Sequence, residues 1–210
     1  MKYRKRLNLE GKQLKSIFLA TLTFLYVMAS TTAHAQNHGG KKILIAYFSH
    51  GGNTRVVAEI LQKEIGGDIF EIKTVQTYPK EFNPLIDMAK REQEANARPS
   101  LSTQVEDMSA YDTIFLGYPN WWGTMPMALF SFLEQYDFAG KTVIPFCTHN
   151  GSRLGSSVRD IERLCPEATI LDGLALNGGR SGSFELGSNA ARTKVQDEII
   201  LWLRKLGMSN

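Results

Sequence analysis

Leu44-Ile45-Ala46-Tyr47-Phe48-Ser49-His50-Gly51-Gly52-Asn53-Thr54-Arg55 is an apolar run that stops abruptly in a small polar loop with two glycines, and a helical pattern starts directly behind it. Val57, Ile60, Leu61 and Ile65 recur at helical spacing, so a helix is expected from about Asn53 to Ile65. Its first N–H groups have no acceptor within the helix and face back into the loop, where they favour an anion. Gly51 and Gly52 allow the positive-φ geometry that turns successive amides inward, while Ser49, Asn53 and Thr54 add side chains for phosphate oxygens or for capping. His50 is expected to face solvent and to contribute its backbone amide. No lysine lies in the loop and the spacing is neither GxxxxGK[ST] nor GxGxxG, which argues against a nucleoside triphosphatase or a dinucleotide fold. An ordinary strand-to-helix turn would read the same way, so the neighbouring segments decide.

Working outward, Lys42 to Phe48 reads as the first strand and Asp68 to Lys73 as a second. Asn83-Pro84 reads as a helix N-cap with proline in the first turn, and Phe82, Leu85, Ile86 and Ala89 form the apolar face of a helix ending near Arg98-Pro99. Asp112 to Gly117 is the third strand, Met127 to Gln135 a helix, Lys141 to Thr148 the fourth strand and Gly155 to Leu164 a helix. Ala168 to Leu176 supplies the fifth strand, and Asn189 to Leu206 a last helix that stops at Gly207. Five apolar strands alternating with helices imply a parallel sheet covered on both faces. Pro145 has no N–H to give to a neighbour, so a bulge or a gap in the ladder is expected beside it.

In a doubly wound α/β sheet of order 2-1-3-4-5, ligands bind beyond the carboxyl ends of the strands, at the switch between strands 1 and 3. Three loops should meet there: Ser49 to Thr54; the segment with Pro119, Asn120, Trp121, Trp122 and Gly123; and the segment with Thr148, His149, Asn150 and Gly151. A phosphate cradle beside a tryptophan wall suits a flat phosphorylated heteroaromatic ligand, and flavin mononucleotide (FMN) fits. One tryptophan is expected to pack under its loop as core and the other to stack on the ring. His149 is expected to touch the ligand without catalysing; no side chain is assigned a catalytic role. Arg55 and Arg180 are left off the site, since single arginines are more often surface residues.

AYFSHGGNT, LGYPNWWGTMP and IPFCTHNGSRLGSS resemble the flavodoxin family, and the resemblance covers essentially residues 42 to 206. It implies a short-chain flavodoxin-like fold, non-covalent FMN with its phosphate on the first loop, and the isoalloxazine between the second and third. It also implies a backbone carbonyl, from Gly123 or from Asn120-Trp121, placed to face the flavin N5. Two departures stand out. The family's second loop hydroxyl is replaced by Gly51, removing a hydrogen bond to phosphate of roughly 1.5 to 3 kcal/mol. The third loop has Thr148-His149-Asn150-Gly151 where many members place a tyrosine over the flavin, which leaves the outer face more open.

The first 35 residues stand apart. Lys2, Arg4, Lys5, Arg6, Lys12 and Lys15 precede an apolar run from Ile17 to Ala29 and then Ala33-His34-Ala35, the pattern of an export signal cleaved near Ala35. Residues 36–40 read as a flexible lead-in and 41–210 as one domain. The leader holds six of the 24 Lys/Arg and one of the 21 Asp/Glu, so the remainder has 18 and 20, net −2 in place of +3. No basic stripe interleaved with aromatics suggests nucleic-acid binding, and an apolar run of about 13 residues is short for a membrane span of ~20. Cys147 and Cys165 are expected to be free and buried at opposite ends of a layer, with no metal site. The leading expectation is a periplasmic or secreted FMN redox protein that exchanges electrons with a partner protein or a small-molecule donor or acceptor. The alternatives are an FMN-dependent NAD(P)H:quinone-type reductase and a non-redox binding protein that has lost flavin affinity.

Overall fold

The computed structural model describes residues 42–178 and 188–208; the expected leader and lead-in, and Arg180, lie outside them. Four main strands, β1 (Ile43–Tyr47), β2 (Asp68–Glu71), β3 (Thr113–Pro119) and β4 (Thr142–His149), alternate with α1 (Asn53–Ile65), α2 (Phe82–Glu94), α3 (Met127–Gln135) and α4 (Ser157–Leu164). Two short strands, β5 (Thr169–Ile170) and β6 (Leu174–Asn177), then lead to α5 (Asn189–Lys205). Every strand pair is parallel, in the order β2-β1-β3-β4-β5, with β6 also on β4. This is the doubly wound, flavodoxin-like arrangement expected from the alternation of elements.

Side chains alternate across the sheet with the two-residue period of a strand. Leu44, Ala46, Ile114, Leu116, Val143 and Cys147 point to one layer, where they meet Leu85 of α2, Phe132 of α3 and Ile161 of α4. Ile45, Tyr47, Phe115, Ile144 and Phe146 point to the other, against Val57 and Leu61 of α1 and Ile199 and Trp202 of α5. Cys147 and Cys165 are both buried and free.

The single fifth strand expected over 168–176 is instead two pieces, and Pro145 is the reason. The carbonyls of Lys141, Val143 and His149 accept N–H groups from Thr169, Leu171 and Gly178, so odd-numbered residues of β4 face the last strand. Pro145 faces the same way and has no N–H to offer. The chain bypasses it at 171–173, where a Cβ on Gly173 would come within 2.9 Å of the Pro145 ring. The Trp202 indole N–H closes the bypass by donating to the Asp172 carbonyl at 2.8 Å. Other boundaries shift for local reasons. α2 begins at Phe82 behind Glu81, its cap two residues ahead of the expected Asn83, and ends at Glu94 because Asn96 takes a left-handed φ of 46°. α4 starts at Ser157, since Gly155 has a φ of 57°.

Gly117 in the middle of β3 leaves room for the Phe146 ring of β4; a Cβ there would overlap it. Gly117→Ala is therefore expected to destabilise the fold by about 1–3 kcal/mol, with partial recovery in Gly117→Ala/Phe146→Leu. Urea unfolding of the two variants and the parent measures both.

Candidate functional site

Parallel pairing sets Tyr47 beside Gly117 and Pro119 beside Thr148, so the loops after β1, β3 and β4 leave the sheet side by side. Two contacts tie these loops together, and a third ties the first of them to the chain just beyond β6. The buried hydroxyls of Thr54 and Thr148 share a hydrogen bond of 2.9 Å. The Asn53 side-chain amide donates to the Gly178 carbonyl at 3.0 Å, and the Asn120 N–H donates to the Thr148 carbonyl at 2.8 Å.

The N-terminus of α1 is open. Gly52 is the N-cap residue, at φ 91°, and has no side chain to cap the helix; the first helical bond runs from the Val56 N–H to the Gly52 carbonyl. The N–H groups of Gly51, Gly52, Asn53 and Thr54 have no acceptor among the described residues. Ser49 Oγ accepts the Arg55 N–H at 3.3 Å, which leaves its own proton free to point outward. Asn53 Oδ1 is buried and has no partner among the described residues. Arg55 turns away from the loop to pair with Glu71. The expectation that the His50 ring faces solvent is corrected: its Nε2–H donates to the Pro79 carbonyl at 2.8 Å and its edge packs on Trp121, 6.1 Å between centroids. The segment before α2 passes close enough to supply that acceptor.

The tryptophans sit in a tight turn. Trp121 and Thr124 exchange backbone hydrogen bonds, and Trp122 and Gly123 between them have φ of 52° and 84°, as a type I′ turn requires. Left-handed backbone at a bulky residue costs on the order of 1–3 kcal/mol and persists only where the surroundings hold it. Here the Trp122 indole N–H donates to the Ile86 carbonyl at 2.9 Å, and the Lys90 ammonium lies 5.2 Å from the ring centroid. Trp121 instead packs edge-on against Phe48 and Tyr78. Thus Trp121 sits against the core while Trp122 stays half exposed.

The base of this turn is clamped to the start of α4. Asn120 Oδ1 accepts the Gly123 N–H, and Asn120 Nδ2 donates to the Arg153 carbonyl. Thr124 Oγ1 and Ser156 Oγ both donate to Asp160 Oδ2, at 2.7 and 3.1 Å. The Gly123 carbonyl accepts the Ser156 N–H at 2.8 Å, and a side chain at Gly155 would collide with it. It is therefore not free to face a ligand, contrary to what the family resemblance implied for Gly123.

In the third loop the Gly151 N–H donates to His149 Nδ1 at 2.9 Å, so the ring proton resides on Nε2. Burial and then the charge of Arg153 hold the His149 pKa below its ordinary value. Burial pushes the Cys147 thiol up to about 12, which removes it as a nucleophile under this loop.

These loops enclose a cleft of about 590 Å³. Of the residues expected at the site, it gathers Ser49, His50, Gly51, Asn53, Thr54, Pro119, Asn120, Trp121, Trp122, Thr148, His149 and Asn150. Gly52, Gly123 and Gly151 do not line it: they shape the turns, with φ of 91°, 84° and 100°. Phe82, Leu85, Ile86 and Ala89 of α2 form a further wall, joined by Gly178. In the sequence those four carried only the signature of an amphipathic helix. The described lining contains no Asp, Glu, Lys or Arg.

Because His149 has a folded-state pKa below its ordinary 6.5, the unfolded chain binds more protons at this position on acidification. Its contribution to stability is complete above about pH 6.5 and is lost as the pH falls through the folded value. His149→Gln is expected to lose less stability than the parent between about pH 7.5 and 5.5, read from urea midpoints.

A profile of the flavodoxin family matches residues 42–186. Flavodoxin 1 of Escherichia coli K12 is 29% identical over 106 residues, 49% of this chain and 46% of that protein, so the chain spans about half the length of the curated relatives it matches. A structure assigned as a flavoprotein of Bacteroides eggerthii superposes with a TM-score of 0.66 at 30% identity, covering 80% of this chain and 99% of that one. A flavoprotein of Lactobacillus acidophilus, solved in complex with FMN, superposes with a TM-score of 0.58 at 25% identity over 65% of this chain and 93% of that one. With the parallel sheet and the three loops gathered at its switch point, the profile match over most of the chain establishes that this protein belongs to the flavodoxin family.

Proposed function

We propose that the protein binds FMN non-covalently in this cleft and passes electrons through it between redox partners. The observation that carries the reading is the N-terminus of α1, where four backbone N–H groups have no acceptor among the described residues and lie beside an aromatic wall. The residues fit the group. The free amides and the Ser49 hydroxyl suit a phosphate, and the partial positive charge of a helix N-terminus favours it. Asn53 Oδ1 is a buried acceptor that lacks a donor among the described residues, a deficit that a ribityl hydroxyl would fill. Trp121 and Trp122 line the same cleft as His149. The Lactobacillus acidophilus relative solved with FMN supports the choice of ligand.

Bound FMN would supply the electron-carrying chemistry; the chain contributes binding, orientation and the surroundings of the ring. The Thr54–Thr148 hydrogen bond holds the phosphate loop against the third loop, so the two ends of the ligand are set by one rigid unit. The clamp from Asn120, Ser156 and Asp160 keeps the tryptophan turn from collapsing into the cleft.

We also infer, from the leader's charge and hydropathy pattern, that the protein is exported and matures by cleavage after Ala35. No helix among the described residues is long and apolar enough to cross a membrane.

Residues 36–210 titrated with FMN are expected to shift the flavin absorption and quench its fluorescence, whereas riboflavin, lacking the phosphate, should bind at least about a hundredfold more weakly. Ser49→Ala should weaken FMN by roughly 10- to 150-fold, the worth of a hydrogen bond to a charged group, and leave riboflavin unchanged. Equal binding of the two flavins would refute the phosphate assignment. For export, mass spectrometry of the protein from the expressing cells should find an N-terminus at Gln36, outside the cytoplasmic fraction.

A further inference from the structure

Asn150-Gly151 and Asn177-Gly178 are the two places in the chain where an asparagine precedes a glycine. That order favours an intramolecular reaction, in which the backbone nitrogen of the glycine attacks the side-chain carbonyl carbon of the asparagine and closes a succinimide ring. Glycine has no Cβ to obstruct the closure. The nitrogen must lose its proton in the process, and a peptide N–H is a very weak acid. What that N–H faces therefore decides how fast the reaction runs.

The fold gives the two pairs opposite surroundings. Gly178 is buried, and its N–H donates to the His149 carbonyl at 2.9 Å, an acceptor that cannot take up the proton. The Gly151 N–H donates to His149 Nδ1, also at 2.9 Å and within the reach of a general base. Burial and the charge of Arg153 favour the neutral imidazole, which is the form that accepts. Asn150 and Gly151 are both exposed, and Gly151 stands at φ 100° with open space around it. The Asn150 side chain makes no hydrogen bond among the described residues, so no contact there holds it away from the nitrogen.

We propose that Asn150-Gly151 is a self-deamidating site, with His149 as its general base. Nδ1 takes the Gly151 proton as the nitrogen bonds to Asn150 Cγ. The bond from Cγ to Nδ2 then breaks, and the imidazole returns the proton to the departing nitrogen, which leaves as ammonia. A solvent water opens the ring. Cleavage between Cγ and the Gly151 nitrogen leaves aspartate at position 150, and cleavage between the backbone carbonyl carbon and that nitrogen leaves isoaspartate. One water is consumed and one ammonia released, with no change in oxidation state.

Asn150 lines the cleft, and the described lining has no charged side chain, so either product places a carboxylate where there was none. A carboxylate at that position repels an anion bound in the cleft. This consequence, unlike the chemistry, rests on the assignment of the cleft to FMN.

The test is incubation of the purified protein at neutral pH, folded and in urea, followed by trypsin digestion and mass spectrometry. Tryptic peptides 142–153 and 164–180 contain one asparagine each, Asn150 and Asn177, so the two conversions are read separately. In the folded protein Asn150 should convert at least about tenfold faster than Asn177, and faster than it does itself in urea; in His149→Gln its rate should fall at least about tenfold. Loss of a merely structural hydrogen bond would loosen the loop and raise the rate, so the direction of the change identifies the base. A rate at Asn150 no higher in the folded protein than in urea, or a His149→Gln rate equal to or above that of the parent, overturns the proposal. For the consequence, Asn150→Asp should weaken FMN by about 3- to 10-fold, and the loss should shrink as salt is added. Unchanged affinity in that variant overturns the charge effect alone. Failure of FMN to bind the parent overturns the FMN reading and leaves the deamidation to stand on its own rates.

Discussion

The in-register parallel pairing of β1, β3 and β4 is the constraint on which the rest of the molecule depends. It brings the three strands to an end at one level, so that the loops behind Tyr47, Pro119 and His149 have no route except past one another. A slip of one residue would turn the core face of a strand toward the wrong layer, so the buried alternation of Leu44, Ile45 and Ala46 holds the site as firmly as it holds the core. Gly117 and Phe146 add a steric key to that register, because the ring lies where any side chain on its neighbour would be.

Among the described residues the cleft lining offers an anion fixed dipoles and no charged side chain. Backbone amides and a helix terminus act as fixed partial charges, held by the fold, with no side-chain entropy to lose when an anion arrives. The cations near the first loop and the tryptophan turn are engaged elsewhere, Arg55 with Glu71 and Lys90 with an indole face. A site built this way recognises the shape and the donor pattern of its ligand more than the sum of its charges.

Much of this was legible in the sequence, and the exceptions have physical causes. The first loop and the alternation of strands and helices follow from local patterns that need no knowledge of neighbours, while the order of strands and the meeting of the three segments follow from the doubly wound arrangement that such alternation adopts. Pro145 forecast a gap, but which side would open depends on the direction of its missing N–H, set by register. Phe82, Leu85, Ile86 and Ala89 were visible as a face; periodicity tells that a face is covered, and not whether a core or a cleft covers it. The acceptor for His50 lies 29 residues away in a connection with no regular pattern, and the carbonyl of Gly123 is claimed by Ser156, 33 residues on. Contacts of that kind are decided by how loops pass, and composition records none of them.

The break in the last strand has a meaning beyond backbone bookkeeping. β5 and β6 lie on the outer side of β4, where an uninterrupted strand would present a continuous row of unpaired donors and acceptors to any passing chain. Divided into two and four residues by the bypass around Pro145, that border is a poor template for intermolecular strand addition. The proline that costs the sheet its regularity thereby also shortens the stretches on this border to which another chain could pair.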